Sequence, residues 1–221
     1  MRSFFFTGNN EMRTLIFVLA FAGLITAQSK IFKDPENNLL LLQNGKMKIT
    51  LLYLSCTGGK QEDIDTARFV ADSLGWNIAV CSNSKNHRNP ELNEQDILNL
   101  VEELIEYPQV DPYKIVIYGF SGQGAQALAT ALKFPQKFGG IITQCAHQGL
   151  LSKPDWQGAA GMPVLLITRQ QDWNRESNEE MAQTFEKSGL QVKLLITTGE
   201  HKIGDAKELL ENCKMMKMML K

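Results

Sequence analysis

Two kinds of apolar run alternate along this chain. The first kind is short and continuous, rich in β-branched and aliphatic side chains: residues 39–42, 46–54, 76–81, 114–118, 138–145, 164–168 and 192–197. Such blocks read as strands buried on both faces, the pattern of a parallel sheet. The second kind has helical spacing. It covers residues 61–74, closed by Gly75, and residues 93–105, where Ile97, Leu98, Val101, Leu104 and Ile105 share a face. Residues 122–133, 181–188 and 205–219 continue it. Strand and helix in regular alternation predict an α/β fold: a single doubly wound, mostly parallel sheet with helices on both faces. Gln43-Asn44-Gly45, between the first two strands, predicts a hairpin, because Asn-Gly fits a tight two-residue turn. Asp111-Pro112 predicts a turn into the strand at 114–118.

The N-terminus has a different pattern. Met12-Arg13 opens a basic start, residues 15–25 are apolar or small, and Thr26-Ala27-Gln28 offers a cleavage point. This reads as a signal peptide over residues 1–27, cut after Ala27, with Met12 as a possible start. The apolar run is too short to cross a bilayer, which needs about 20 residues. The expectation is a secreted or periplasmic domain at 28–221, with no stable membrane span after cleavage. Its length suits one domain. The net charge is −1 and the charges are interspersed, so the concentrated basic face of a nucleic-acid binder is missing. Lys214, Lys217 and Lys221 read as the solvated end of an amphipathic helix. The four cysteines, Cys56, Cys81, Cys145 and Cys213, lack C-x-x-C spacing, which argues against zinc. Cys56 and Cys81 end neighbouring strands and are the pair most able to bridge. The favoured reading keeps all four as small buried hydrophobes.

Candidate chemistry centres on Gly119-Phe120-Ser121-Gly122-Gln123-Gly124, where a strand gives way at once to a helix. A serine at such an apex is exposed to a substrate, but its hydroxyl needs a base, an orienting acid and donors for an oxyanion. Of the three histidines, His201 follows the last strand and is the candidate base. Asp172 follows the strand before it and is the candidate acid, ahead of Asp155. The order Ser121, Asp172, His201, each just past a different strand, is more specific than any one residue. The N–H of Gly122 and that of Thr57, in the loop Ser55-Cys56-Thr57-Gly58-Gly59, are the expected oxyanion donors. His147 and Trp173 are pocket candidates, and Trp156 lies near the same mouth. His87, in a polar segment, reads as solvated loop. No cofactor or metal is expected. Gln123 is bulky where a small residue is usual, and fits only if its side chain points away from the sheet while Gly124 and Ala125 take the close contact.

These residues resemble the α/β-hydrolase superfamily. They are most similar to its small carboxylesterases, phospholipases, thioesterases and secreted polyester-depolymerase-like enzymes. Asp111-Pro112 through Gly119-Phe120-Ser121 is similar to a D-P-x-x-I-x-x-x-G-x-S lead. Residues 54–59 resemble an L-H-G-x-G-G loop, with Ser55 and Cys56 in place of His-Gly. Asp172-Trp173-Asn174-Arg175 resembles a D-x-N-R around the acid. The resemblance implies an α/β-hydrolase fold with a reduced N-terminal part and no large cap, since residues 147–161 leave room for a small lid only. Together with the signal-peptide reading, it implies an exported serine hydrolase that cleaves a small-molecule or polymer ester through a Ser-His-Asp triad and an acyl-enzyme. Two other readings stand beside it: a non-catalytic binding protein of this fold, and a serine peptidase. The sequence says nothing of oligomeric state.

Overall fold

The computed structural model describes residues 30–220, so the signal-peptide reading lies outside the described residues. Eight strands form one sheet in the order β1-β2-β4-β3-β5-β6-β7-β8. They are β1 (Ile31–Lys33), β2 (Leu39–Leu41), β3 (Lys48–Leu54), β4 (Asn77–Cys81), β5 (Val110–Phe120), β6 (Gly140–Gln144), β7 (Pro163–Gln171) and β8 (Gln191–Glu200). β1 and β2 run antiparallel to their neighbours, and every other pairing is parallel. The expected reduction at the N-terminal end takes the form of two strands of three residues each.

Alternate residues of each central strand supply two cores. Leu52, Leu54, Ala79, Ile117 and Leu166 point to one face, under α2 (Pro90–Leu104), α3 (Ser121–Lys133) and α4 (Arg175–Lys187). Leu51, Tyr53, Ile78, Val80, Tyr118 and Ile167 point to the other, under α1 (Gln61–Leu74) and α5 (Ala206–Met219). This two-sided burial is why the strands read as continuous apolar blocks. Helix ends follow local chemistry. Gly75 closes α1 with φ 67°, a left-handed conformation that glycine adopts without strain. The Asn89 side chain accepts the Glu91 N–H at the start of α2, with Pro90 in the first turn. Asp205 caps α5 in the same way through Glu208 N–H. On α2 the buried face is Ile97, Leu100, Val101 and Leu104, so Leu100 replaces the exposed Ile105 of the expected stripe. No described helix is long and apolar enough to cross a membrane.

The Asn-Gly hairpin is not formed. β2 and β3 are not partners, because β4 lies between them. β2 is three buried leucines and pairs on both edges, with β1 and β4. The linking segment is captured elsewhere. Gln43 N–H donates to Asn77 Oδ1 at 2.8 Å, and Met47 and Lys48 N–H donate to the carbonyls of Pro108 and Gln109. A local turn preference is thus overridden by the long-range demand of β4 for two partners. Asp111-Pro112 falls within β5, where the register with β3 shifts and Asp111 Oδ1 accepts the Tyr113 N–H.

Candidate active site

β5 ends at Phe120 and α3 begins at Ser121, whose φ is 52°. A non-glycine residue there is strained, and the strain lifts the side chain out of the strand-helix corner. The corner closes because its flanks are small. A methyl group on Gly119 would fall 2.3 Å from the Gln123 carbonyl oxygen, and one on Gly124 would fall 2.9 Å from Ala146 Cβ. Gln123 is only 1 % exposed, yet its side chain leaves the sheet, as the fit required. Its Oε1 accepts the Ser84 hydroxyl at 2.7 Å.

Ser121, His201 and Asp172 come together. His201 Nε2 lies 2.9 Å from Ser121 Oγ, and His201 Nδ1 lies 2.6 Å from Asp172 Oδ1. Asp172 also accepts the Asn174 N–H on Oδ1 and the Thr168 hydroxyl on Oδ2. Burial pushes this carboxyl up. The bonds from Asn174, His201, Thr168 and Cys145 together outweigh it and hold the group below the usual carboxylate range. An ionised Asp172 can only accept, so Nδ1 carries the imidazole proton and the Nε2 lone pair faces the serine.

Two aromatic rings flank the imidazole. Trp173, 75 % exposed itself, stacks on it at 3.7 Å and 18°, and Phe120 lies on another side with centroids 5.0 Å apart. Behind it runs a polar chain that sequence reasoning missed. Arg169 pairs with Glu208 at 2.8 Å and with Thr197 Oγ1; Gln144 donates to Glu208 and accepts from Tyr118 and from Gly204 N–H. This chain ties α5 and the turn after His201 to β6 and β7. Its members are widely separated in sequence and carry no motif.

Cys145 is a second strained residue, with φ 50°. Asn174 Nδ2 donates to its carbonyl at 2.9 Å, and its thiol is pushed up to about 12 by burial first and by Asp172 second. Cys145, Asp172 and His201 offer metal-type ligand atoms within 4.8 Å of one another, but the acid and the imidazole are already bonded to each other. The four cysteines are free thiols.

Ser121 opens into a cleft of about 400 Å3. The pocket candidates His147 and Trp173 both line it, along with Leu150 and Asn174. Burial holds the His147 imidazole below its ordinary value, with the nearby His201 as the second cause. The opposite wall is the segment that read as solvated loop: Lys85, Asn86, His87 and Arg88 all face the cleft. His87 is exposed, as expected, but at the rim of the site. Among the described residues, no aspartate or glutamate lines the cleft. Gly122 borders it, whereas Thr57 is exposed and is not among the lining residues. What the turn after β3 brings to the nucleophile is Cys56, whose thiol donates to the Phe120 carbonyl at 3.2 Å.

An open eight-stranded sheet with a serine at the strand-helix corner, a histidine and a buried acid beyond the last two strands defines an α/β-hydrolase. The chain belongs to the phospholipase/carboxylesterase family, whose model matches residues 78–192. No curated protein was found to match it by sequence. Among solved structures it is similar to a thermostable esterase, with a TM-score of 0.65 and 16% identity over 89% of this chain; it spans 63% of that longer protein. It is also similar to an S-formylglutathione hydrolase from Staphylococcus aureus (TM-score 0.62, 13% identity, 87% of this chain and 95% of that one). A third is Zea mays acyl-protein thioesterase 2 (TM-score 0.61, 14% identity, 86% and 100%). At these identities the likeness is one of fold.

Proposed function

We propose that the protein is an exported hydrolase of carboxylic esters that works through Ser121, His201 and Asp172. Ser121 Oγ attacks the ester carbonyl while His201 Nε2 takes the serine proton. The N–H of Gly122 receives the developing oxyanion. His201 then returns the proton to the leaving alcohol, and the acyl group stays on Ser121. Water, activated by the same imidazole, releases the acid and restores the serine. Asp172 keeps His201 in the required tautomer and stabilises the imidazolium. One observation carries this reading: the unbroken chain of hydrogen bonds Asp172–His201–Ser121, ending on a serine held at φ 52°. Export rests on the apolar run at residues 15–25 and the small residues at the cut.

A fluorophosphonate probe, which reacts with an activated serine, tests the assignment. The wild-type protein is expected to be labelled and Ser121→Ala not. Labelling that survives Ser121→Ala, or none in the wild type, would refute it. Turnover of short 4-nitrophenyl esters, lost in His201→Ala, would exclude a purely binding role.

A further inference from the structure

An oxyanion formed at Ser121 calls for more than one donor. The Thr57 side chain is exposed and does not line the cleft. The group packed against Gly122 is instead the carboxamide of Asn86. A methyl placed on Gly122 would fall 2.6 Å from Asn86 Oδ1 and 3.1 Å from its Nδ2. Asn86 therefore sits directly over the backbone that follows the nucleophile, and it lines the cleft beside Ser121.

Its placement is enforced. The Asn86 N–H donates to the Cys56 carbonyl at 3.0 Å. Asn86 Oδ1 faces Gln123 Nε2 at 3.5 Å, a long contact, and Gln123 is itself anchored by the fully buried Ser84 at 2.7 Å. With the amide oxygen turned to a donor, the two N–H groups of Asn86 are free for acceptors. The Cys56 thiol lies close by, donating to the Phe120 carbonyl at 3.2 Å.

We propose that the side-chain amide of Asn86 is the second oxyanion donor, with Gln123 as the residue that positions it. The assignment rests on Ser121 being the nucleophile. It gives one account of two departures from the usual pattern. Gln123 is large because it holds the Asn86 loop onto the elbow. The Ser55-Cys56-Thr57 turn, no longer needed as a donor, can carry a cysteine where the related loop has glycine.

The test is steady-state hydrolysis of 4-nitrophenyl acetate by the full mature chain as wild type, Asn86→Ala, Asn86→Asp and Gln123→Ala, with fluorophosphonate labelling rates alongside. Loss of a transition-state donor is expected to lower kcat about 10²- to 10³-fold in Asn86→Ala, with KM within about threefold. Asn86→Asp, which sets an anion against an anion, is expected to fall further at unchanged thermal midpoint. Gln123→Ala is expected to lower kcat less, and the double variant to be no worse than Asn86→Ala alone, because both act through one amide. Asn86→Ala with kcat within about threefold of wild type, or with only KM changed, would overturn the assignment. Labelling of the wild type with unaltered labelling of Asn86→Ala would sink this inference and leave the hydrolase reading intact. A wild type neither labelled nor active would sink both.

Discussion

Replacing Asp172 by Asn isolates the charge at the base of the site. The two side chains are nearly isosteric, and the Asp172 side chain is fully buried, so the change leaves packing and the cleft wall in place. Oδ1 already receives two N–H donors, from His201 and from Asn174. An amide oxygen would keep that side, and the amide nitrogen would turn to Thr168, whose hydroxyl can rotate to accept. The tautomer of His201 is then preserved, and the loss is that of the negative charge beneath the imidazolium. At 2.6 Å and an effective dielectric of about 20, the Coulomb attraction is at most about 6 kcal/mol. Part of it is offset by the retained neutral hydrogen bond, which leaves about 4–5 kcal/mol, or a 10³- to 10⁴-fold lower kcat. KM is expected to stay within about threefold, because Asp172 does not touch the cleft. The assay is hydrolysis of 4-nitrophenyl acetate at neutral pH, with burst amplitude to count acylated sites. A loss of less than about tenfold in kcat would refute the argument that this carboxylate carries the imidazolium. The same variant changes stability in acid. The folded carboxyl is held below its ordinary value, so it adds stability that is present above about pH 4 and lost as pH falls through the folded value. Urea midpoints of Asp172→Asn should therefore depend less on pH below about 4 than those of wild type.

Gly119→Ala would set a methyl 2.3 Å from the Gln123 carbonyl; backbone must move, so activity should vanish and the urea midpoint fall by an amount worth about 1–3 kcal/mol or more. A Gly119→Ala protein with wild-type kcat would show that the corner is not closed as described. His147, held below its ordinary value by burial, binds a proton more readily unfolded than folded, so wild-type stability should drop as pH falls from about 6.5 through the folded value. His147→Gln should flatten that slope in pH-dependent melting curves, and an unchanged slope would count against it. The cleft of about 400 Å3, lined largely by polar side chains, is expected to favour acetyl and butyryl over palmitoyl esters in kcat/KM, as measured across an acyl-length series. A preference for palmitoyl would contradict it.

What could be read in advance was whatever depends on local pattern. Buried strands announced themselves as continuous aliphatic blocks, and the corner at Ser121 by small residues on either side of an apex. The positions of Asp172 and His201 followed from the strand order read together with the Ser, acid, His order of hydrolases of this fold. What failed depended on distant partners. The Asn44-Gly45 turn was outvoted by β4, which needs an edge on each side, and Ile105 lost its place on the α2 face to Leu100. The wall at 84–88 looked like solvated loop because its residues are polar. They are polar because they line a wet cleft, a distinction no window of sequence contains. Thr57 was expected in the loop after β3, where Ser55 and Cys56 depart from the related pattern, and its side chain does not line the cleft. The Arg169–Glu208–Gln144–Tyr118 chain left no trace because its partners lie on four separate elements.

Trp173 lies flat on the imidazole at 3.7 Å while remaining open to water. A protonated imidazole quenches an indole in van der Waals contact, and a neutral one does so far less. Of the three tryptophans, Trp76 is buried under α1 and Trp156 sits against Phe185. The emission of Trp173 is thus expected to respond to a proton on the general base, an optical gauge that needs no substrate, label or added dye.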